Sequence, residues 1–137
     1  MRLAVDSNPL LSALIGGQAK AVLEHPGVEE VVTVMPVMSE VAEHGPILAK
    51  KKGLGLDEMT MTLATLPVRV VPESEYRVCL AEAERRIGTR DADDVAPLAL
   101  ALAFRIPVWS NDHDFEVARV QWYTTADLLK KLSTRKG

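Results

Sequence analysis

Aromatic side chains are scarce in this chain and cysteine is nearly absent. Two Trp, two Tyr and two Phe make up 4% of 137 residues, so Val, Leu, Ala and Met must fill any core. The single Cys79 excludes an internal disulfide and suits a reducing compartment; its ordinary use is as a small buried hydrophobe. No run of roughly eighteen apolar residues exists to cross a bilayer. Met1 to Val5 is too short for the apolar part of an export signal and runs straight into Asp6. A cytoplasmic location is the resulting expectation. Positive charge is not in excess: the formal net charge is -3, which excludes a broadly basic nucleic-acid binder and leaves only a local basic patch for such a partner. There is no glycine-rich phosphate loop, since Gly53-Leu54-Gly55 is too short and follows no strand. His25, His44 and His113 lack the spacing of zinc ligands and read as surface residues. Asp6-Ser7-Asn8 starts like a calcium loop, but the Gly and Glu that must follow are missing. There is no internal repeat and no low-complexity segment.

What is present is 47% hydrophobic sequence, enough for one core, and the length of one domain, expected over residues 1–132 with a frayed tail at 133–137. Arg2 to Val5 reads as a short buried strand ending at Asp6. Ser7 or Asn8 can cap the helix that follows, with Pro9 in its first turn and Gly16-Gly17 at its end. A second helix is expected from Ala19 to His25. Glu30 to Val34 is the next strand. Pro36 opens a helix with Val37, Met38 and Val41 inward and Glu40 about one turn in; Gly45-Pro46 is expected to interrupt it and Gly53 to end its continuation. Asp57 can cap a helix carrying Met59, Leu63 and Leu66. Val68 to Val71 is a third strand between two prolines. A helix starting at Glu73 or Ser74 places Tyr76, Leu80, Ala83 and Ile87 on one stripe and stops at Gly88. The helix after Asp94 presents Val95, Leu98, Ala99 and Leu102, with Pro97 tolerated in its first turn. Ile106 to Ser110 is a fourth strand and Val120 to Tyr123 a short fifth at an edge. Thr124 or Thr125 caps the last helix.

Short apolar strands alternating with helices predict a parallel sheet covered on both faces. In such sheets the functional crevice lies beyond the carboxyl ends of the strands. Asp6 and Asp112 fall there, and Glu40, Asp91 and Asp94 lie near helix starts that can face it. Like charges at about 4 Å repel by roughly 4 kcal/mol at a protein surface, so such a gathering calls for a cation.

These residues carry a resemblance. Val5-Asp6-Ser7-Asn8-Pro9-Leu10-Leu11, Pro36-Val37-Met38-Ser39-Glu40-Val41, Asp91-Ala92-Asp93-Asp94 with Leu98 to Ala101, and Trp109-Ser110-Asn111-Asp112-His113-Asp114-Phe115 resemble, in order, the four blocks of the PIN domain family. The likeness is greatest to its small single-domain toxins of the VapC type. The resemblance implies an α/β fold: a Rossmann-like three-layer α/β/α sandwich with a mainly parallel sheet of four to five strands. It implies an endoribonuclease using Mg²⁺ or Mn²⁺, a homodimer and a small antitoxin protein. Carried over block by block, the catalytic and metal-binding acids are Asp6, Glu40, Asp94 and Asp112, supported by Asn8, Asp91, Ser110 and Asp114. Asp94 is preferred to Asp93 for its distance of seven residues from Ala101. Ser110 stands where the family more often has Thr and keeps the hydroxyl. Pro97 bears on the aim of Asp94, and His113 between two acids has no assigned role.

The chemistry suits the residue types. Hard divalent cations take oxygen ligands, and Mg²⁺ binds a few carboxylates while keeping waters. Water then attacks the RNA phosphate without a protein nucleophile. Substrate needs positive flanks, for which the candidates are Lys50-Lys51-Lys52, Arg85-Arg86, Arg90, Arg119 and the basic end Lys130, Lys131, Arg135, Lys136; Arg90 is preferred because it adjoins the acids. Each acid alone also has an ordinary use: Asp6 as a helix cap, Glu40 as an exposed helix charge, Asp91 to Asp94 as charges at a helix start, Asp112 and Asp114 as turn formers. An inactive PIN-like scaffold that binds RNA or protein is the alternative from another class. A receiver-like or phosphatase-like phosphoryl-transfer protein fits less well, because no second Asp follows Asp6 at the phosphatase spacing and no Lys follows a late strand.

Overall fold

In a computed structural model, the structure describes residues 1–87 and 92–133. Gly88, Arg90, Asp91 and the tail from residue 134, with Arg135 and Lys136, lie outside the described residues. Five strands form one sheet: β1 (Arg2–Val5), β2 (Glu30–Val34), β3 (Arg69–Val71), β4 (Val108–Trp109) and β5 (Trp122–Tyr123), in the order β3-β2-β1-β4-β5. All four pairings are parallel, with Ala4 opposite both Val32 and Val108. β5 takes the edge position expected of it.

Two helical layers cover the sheet. One holds α1 (Ser7–Leu14), α2 (Ala19–Leu23), α3 (Met35–Lys51), α4 (Leu56–Ala64) and α7 (Thr125–Ser133); the other holds α5 (Leu80–Ile87) and α6 (Val95–Phe104). The core is aliphatic, as the composition requires, with Leu3, Val5, Leu10, Leu98 and Leu100 fully buried around Trp109 and Phe115.

Several elements depart from the local signals. Gly45-Pro46 does not interrupt α3, which runs through both as one helix of 17 residues. Val37, Val41, Gly45 and Ala49 form its buried stripe. A Cβ on Gly45 would lie 3.2 Å from Leu14 and 3.4 Å from Met59, so glycine there admits α1 and α4 to close contact. That packing outweighs the lost hydrogen bond at Pro46. Neither Ser7 nor Asn8 is the N-cap of α1; Asp6 takes that position, with no side-chain capping bond. α4 starts at Leu56 after Gly55, which places Asp57 in its first turn instead of at the cap. The expected helix from Glu73 begins as two 3-10 turns, and α5 starts only at Leu80. Tyr76 leaves helical geometry at φ -128°, ψ 0° and buries its ring. α6 is not a one-faced helix either: Pro97, Leu98, Ala99, Leu100 and Ala101 are all buried, because it lies between the sheet and α5. It ends on Arg105 at φ 56°, a left-handed position where glycine is usual.

Thr124 closes α7 with a reciprocal cap, its hydroxyl accepting from the Asp127 N–H at 3.1 Å while Asp127 accepts from the Thr124 N–H at 3.1 Å. One residue later, the buried Thr125 hydroxyl accepts the indole N–H of fully buried Trp109 at 3.0 Å. Thr125→Val keeps the shape and strands that N–H, so it is expected to cost about 1–3 kcal/mol in denaturant unfolding; an unchanged midpoint would show that the bond contributes nothing.

Candidate metal centre

β1 lies between β2 and β4, where the strand order reverses direction. Connections leave to opposite faces at such a point and open a crevice beyond the carboxyl ends. Every described acid proposed for the site comes from this end. Asp6 follows β1, Glu40 sits in the second turn of α3 after β2, and Asp112 and Asp114 follow β4. Asp94 closes the 3-10 turn Ala92–Asp94 that leads into α6.

Asp6 and Asp94 are buried, with 6% and 3% of their surfaces exposed, whereas Glu40, Asp112 and Asp114 are half-buried. Carboxylate oxygens of Asp94, Asp112 and Asp114 lie within 4.8 Å of one another. At that separation like charges repel by roughly 3 kcal/mol per pair at an effective dielectric of about 20. Asp6 feels the same crowding. Burial, mainly, pushes its carboxyl up from 3.8 to about 6; hydrogen bonds from the Ser7 backbone and the Ser110 hydroxyl oppose this, and the charges of Glu40 and Asp112 add to it.

The Ser110 hydroxyl ties these groups together. It donates to Asp6 Oδ2 at 2.9 Å and accepts the Asp112 N–H at 3.0 Å and the Asn8 side-chain N–H at 3.5 Å. Asn8 Oδ1 accepts the Asn111 N–H at 2.9 Å, and Asn111 Oδ1 accepts the Thr125 N–H at 2.8 Å. One chain of bonds thus joins α1, the loop after β4 and the start of α7. Asp112 caps the 3-10 helix His113–Ala118 by accepting the Asp114 N–H at 3.0 Å. It is a turn former, and its second carboxylate oxygen is not used in that cap.

A family model for the PIN domain matches residues 4–133. The chain belongs to the PIN domain family. Among curated proteins none matches it. PIN domains are nucleases that generally use a divalent metal, and the sandwich with its parallel sheet is the fold they share.

The donor set of this PIN domain fits such an ion. Asp94, Asp112 and Asp114 offer only oxygen, the ligand that hard divalent cations prefer, and two more described carboxylates, Asp6 and Glu40, stand beside them. Asp114 belongs to this trio, although the family resemblance implied only a supporting role for it. Asp6 and Glu40 approach it from the side of β1 and α3. Asp93 is exposed and lines a shallow cavity of 230 Å³ with Glu40, Glu43 and His44. Asn111, quoted only as part of the fourth block, and Thr33 had no assigned role in the sequence. The Thr33 hydroxyl donates to the Val5 carbonyl at 2.8 Å and fixes the end of β1 beside Asp6; a lone Thr in the apolar run Glu30–Val34 was its only signal. His113, left without a role, packs its ring against the edge of Trp122 at 5.2 Å.

The pKa of Asp6 has a consequence for stability. Between pH 4 and 6 the fold holds a proton that the unfolded chain releases, so stability falls as the pH rises through that window. A rise from 3.8 to about 6 corresponds to roughly 3 kcal/mol above pH 6. In EDTA, Asp6→Asn is therefore expected to melt above the parent at pH 7.5 and level with it at pH 4. A melting difference that does not vary with pH would show that the buried charge carries no such penalty.

Proposed function

We propose that this PIN domain is a metal-dependent endoribonuclease and acts as the toxin of a toxin–antitoxin pair. One observation carries the nuclease reading: the carboxylates of Asp94, Asp112 and Asp114 converge within 4.8 Å at the strand-order reversal, with Asp6 and Glu40 alongside. Asp6, Glu40, Asp94 and Asp112 are the proposed catalytic acids. The ion would be held by Asp94, Asp112 and Asp114, with Asp6 and Glu40 completing the negative charge around it. A bound Mg²⁺ or Mn²⁺ supplies neutralising charge for the phosphodiester and lowers the pKa of an attacking water. The protein's own part is positional. Ser110 holds Asp6 and the Asp112 backbone in one register, and Asn8 fastens the loop that carries Asp112 and Asp114. Asp91 and Arg90 adjoin Asp94 in sequence and complete the proposal, as support for that acid and as a contact for RNA phosphate.

The toxin role, the homodimer, the small antitoxin partner and the cytoplasmic location rest on the likeness of the four sequence blocks to VapC-type proteins. Among the described residues no helix is long and apolar enough to cross a membrane.

Cleavage of single-stranded and transfer RNA in Mg²⁺ or Mn²⁺ tests the reading. Asp94→Asn is expected to lower the rate by about a hundred-fold or more and Ser110→Ala by roughly 10- to 100-fold, since partners that orient a metal ligand contribute on that scale. EDTA should abolish cleavage. Equal rates for parent and Asp94→Asn, or no heat on titrating Mn²⁺ into the parent, would sink it in favour of a scaffold.

A further inference from the structure

Beside the acidic crevice lies a cavity of opposite charge. Arg85 and Arg86 from the last turn of α5 and Arg119, just past the 3-10 helix His113–Ala118, line it with Glu82 and Val117 around a volume of 420 Å³. Three guanidinium groups face one carboxylate. Glu82 is shared between Arg85 at 3.6 Å and Arg86 at 3.7 Å. Arg86 donates to the carbonyls of Ala118 at 3.4 Å and Arg119 at 3.0 Å, which pins the end of α5 to the end of the 3-10 helix. Arg119 adopts φ 55°, a left-handed conformation in which glycine is usual, and its side chain is exposed at the rim. Val117 is 45% exposed and adds an apolar surface.

The geometry points to this cavity as a binding site for the phosphate backbone of single-stranded RNA. In that site Arg85 and Arg119 grip a phosphate remote from the bond that is cut, while Arg86 holds the cavity in shape. The assignment rests on the nuclease reading above and adds a substrate contact to it. Arginine matches the task, because its planar, permanently charged fork meets phosphate oxygens two at a time. The location matches as well. The 3-10 helix has Asp112 and Asp114 at its start and Arg119 at its end; six residues at about 2 Å each put roughly 12 Å between them. One RNA strand lying along this helix meets the arginines at one end and the acids at the other. Such contacts position a strand without reading its sequence.

Arg105 is a matched control, also exposed, also left-handed at φ 56°, but located before β4 at the opposite end of that strand. Arg119→Gly and Arg105→Gly remove the same charge and relieve the same backbone conformation, so both should fold at least as well as the parent. Binding is read by anisotropy of a short single-stranded RNA in EDTA over a range of salt. Arg119→Gly should bind about five-fold more weakly, equivalent to roughly 1 kcal/mol for one exposed ionic contact, and its salt slope should fall by about 0.7. Arg105→Gly should match the parent, and Arg85→Ala should follow Arg119→Gly. Equal affinities and slopes for the two glycine variants would overturn the site. Cleavage in Mn²⁺, measured separately, reports on the nuclease reading. An inactive parent whose affinity still depends on Arg119 would leave this site standing without that reading, and an active parent indifferent to Arg119 would do the reverse.

Discussion

Everything at the site depends on holding like charges together. Asp94, Asp112 and Asp114 crowd their oxygens within 4.8 Å, and Asp6 is buried beside Asp112 and Glu40. Left to themselves these groups would separate, because mutual repulsion and lost hydration both favour the apart state. The fold opposes this by attaching the acids to packed elements. Asp6 ends the central strand, Asp94 leads into a helix buried against the sheet, and Asp112 is bonded through its backbone to the Ser110 hydroxyl. The aliphatic core supplies the rigidity, and the repulsion it contains is what a cation would relieve.

Parallel topology accounts for the location of that tension. Each strand delivers its last residue to the same end of the sheet, and the reversal of order between β1 and β4 leaves a gap there. The bonded chain from Asn8 through Asn111 to Thr125, with the buried Trp109–Thr125 bond below it, closes the gap from the β4 side. Opposite charge gathers a short distance away, where Arg86 ties α5 to the carbonyls of Ala118 and of the left-handed Arg119. A chain with a net charge of -3 thereby separates an acidic centre from a basic flank within one small domain.

Much of this was legible in the sequence. Arg2 to Val5 and Glu30 to Val34 are short apolar runs bounded by polar residues, and they form the strands read from them. Gly16 and Gly53 end helices at positive φ as their positions implied. The four acidic blocks named the family because the order and spacing of residue types survive without knowledge of contacts. Two departures have a tertiary cause. Gly45-Pro46 and the periodicity of α6 are local signals, but close packing of α1 and α4 on Gly45, and burial of α6 between the sheet and α5, decided the outcome.

Sequence by itself determined the alternation of strand and helix, the parallel sheet that follows from it, and which acids sit at strand ends. These depend on patterns within about ten residues and on a chirality common to all chains. Only the tertiary structure decided which acids meet. Asp114 joins Asp94 and Asp112 because a 3-10 helix turns it inward, and Asp6 is held by a hydroxyl 104 residues away. Distances between groups so far apart along the chain are set by how layers pack, and no local pattern encodes them.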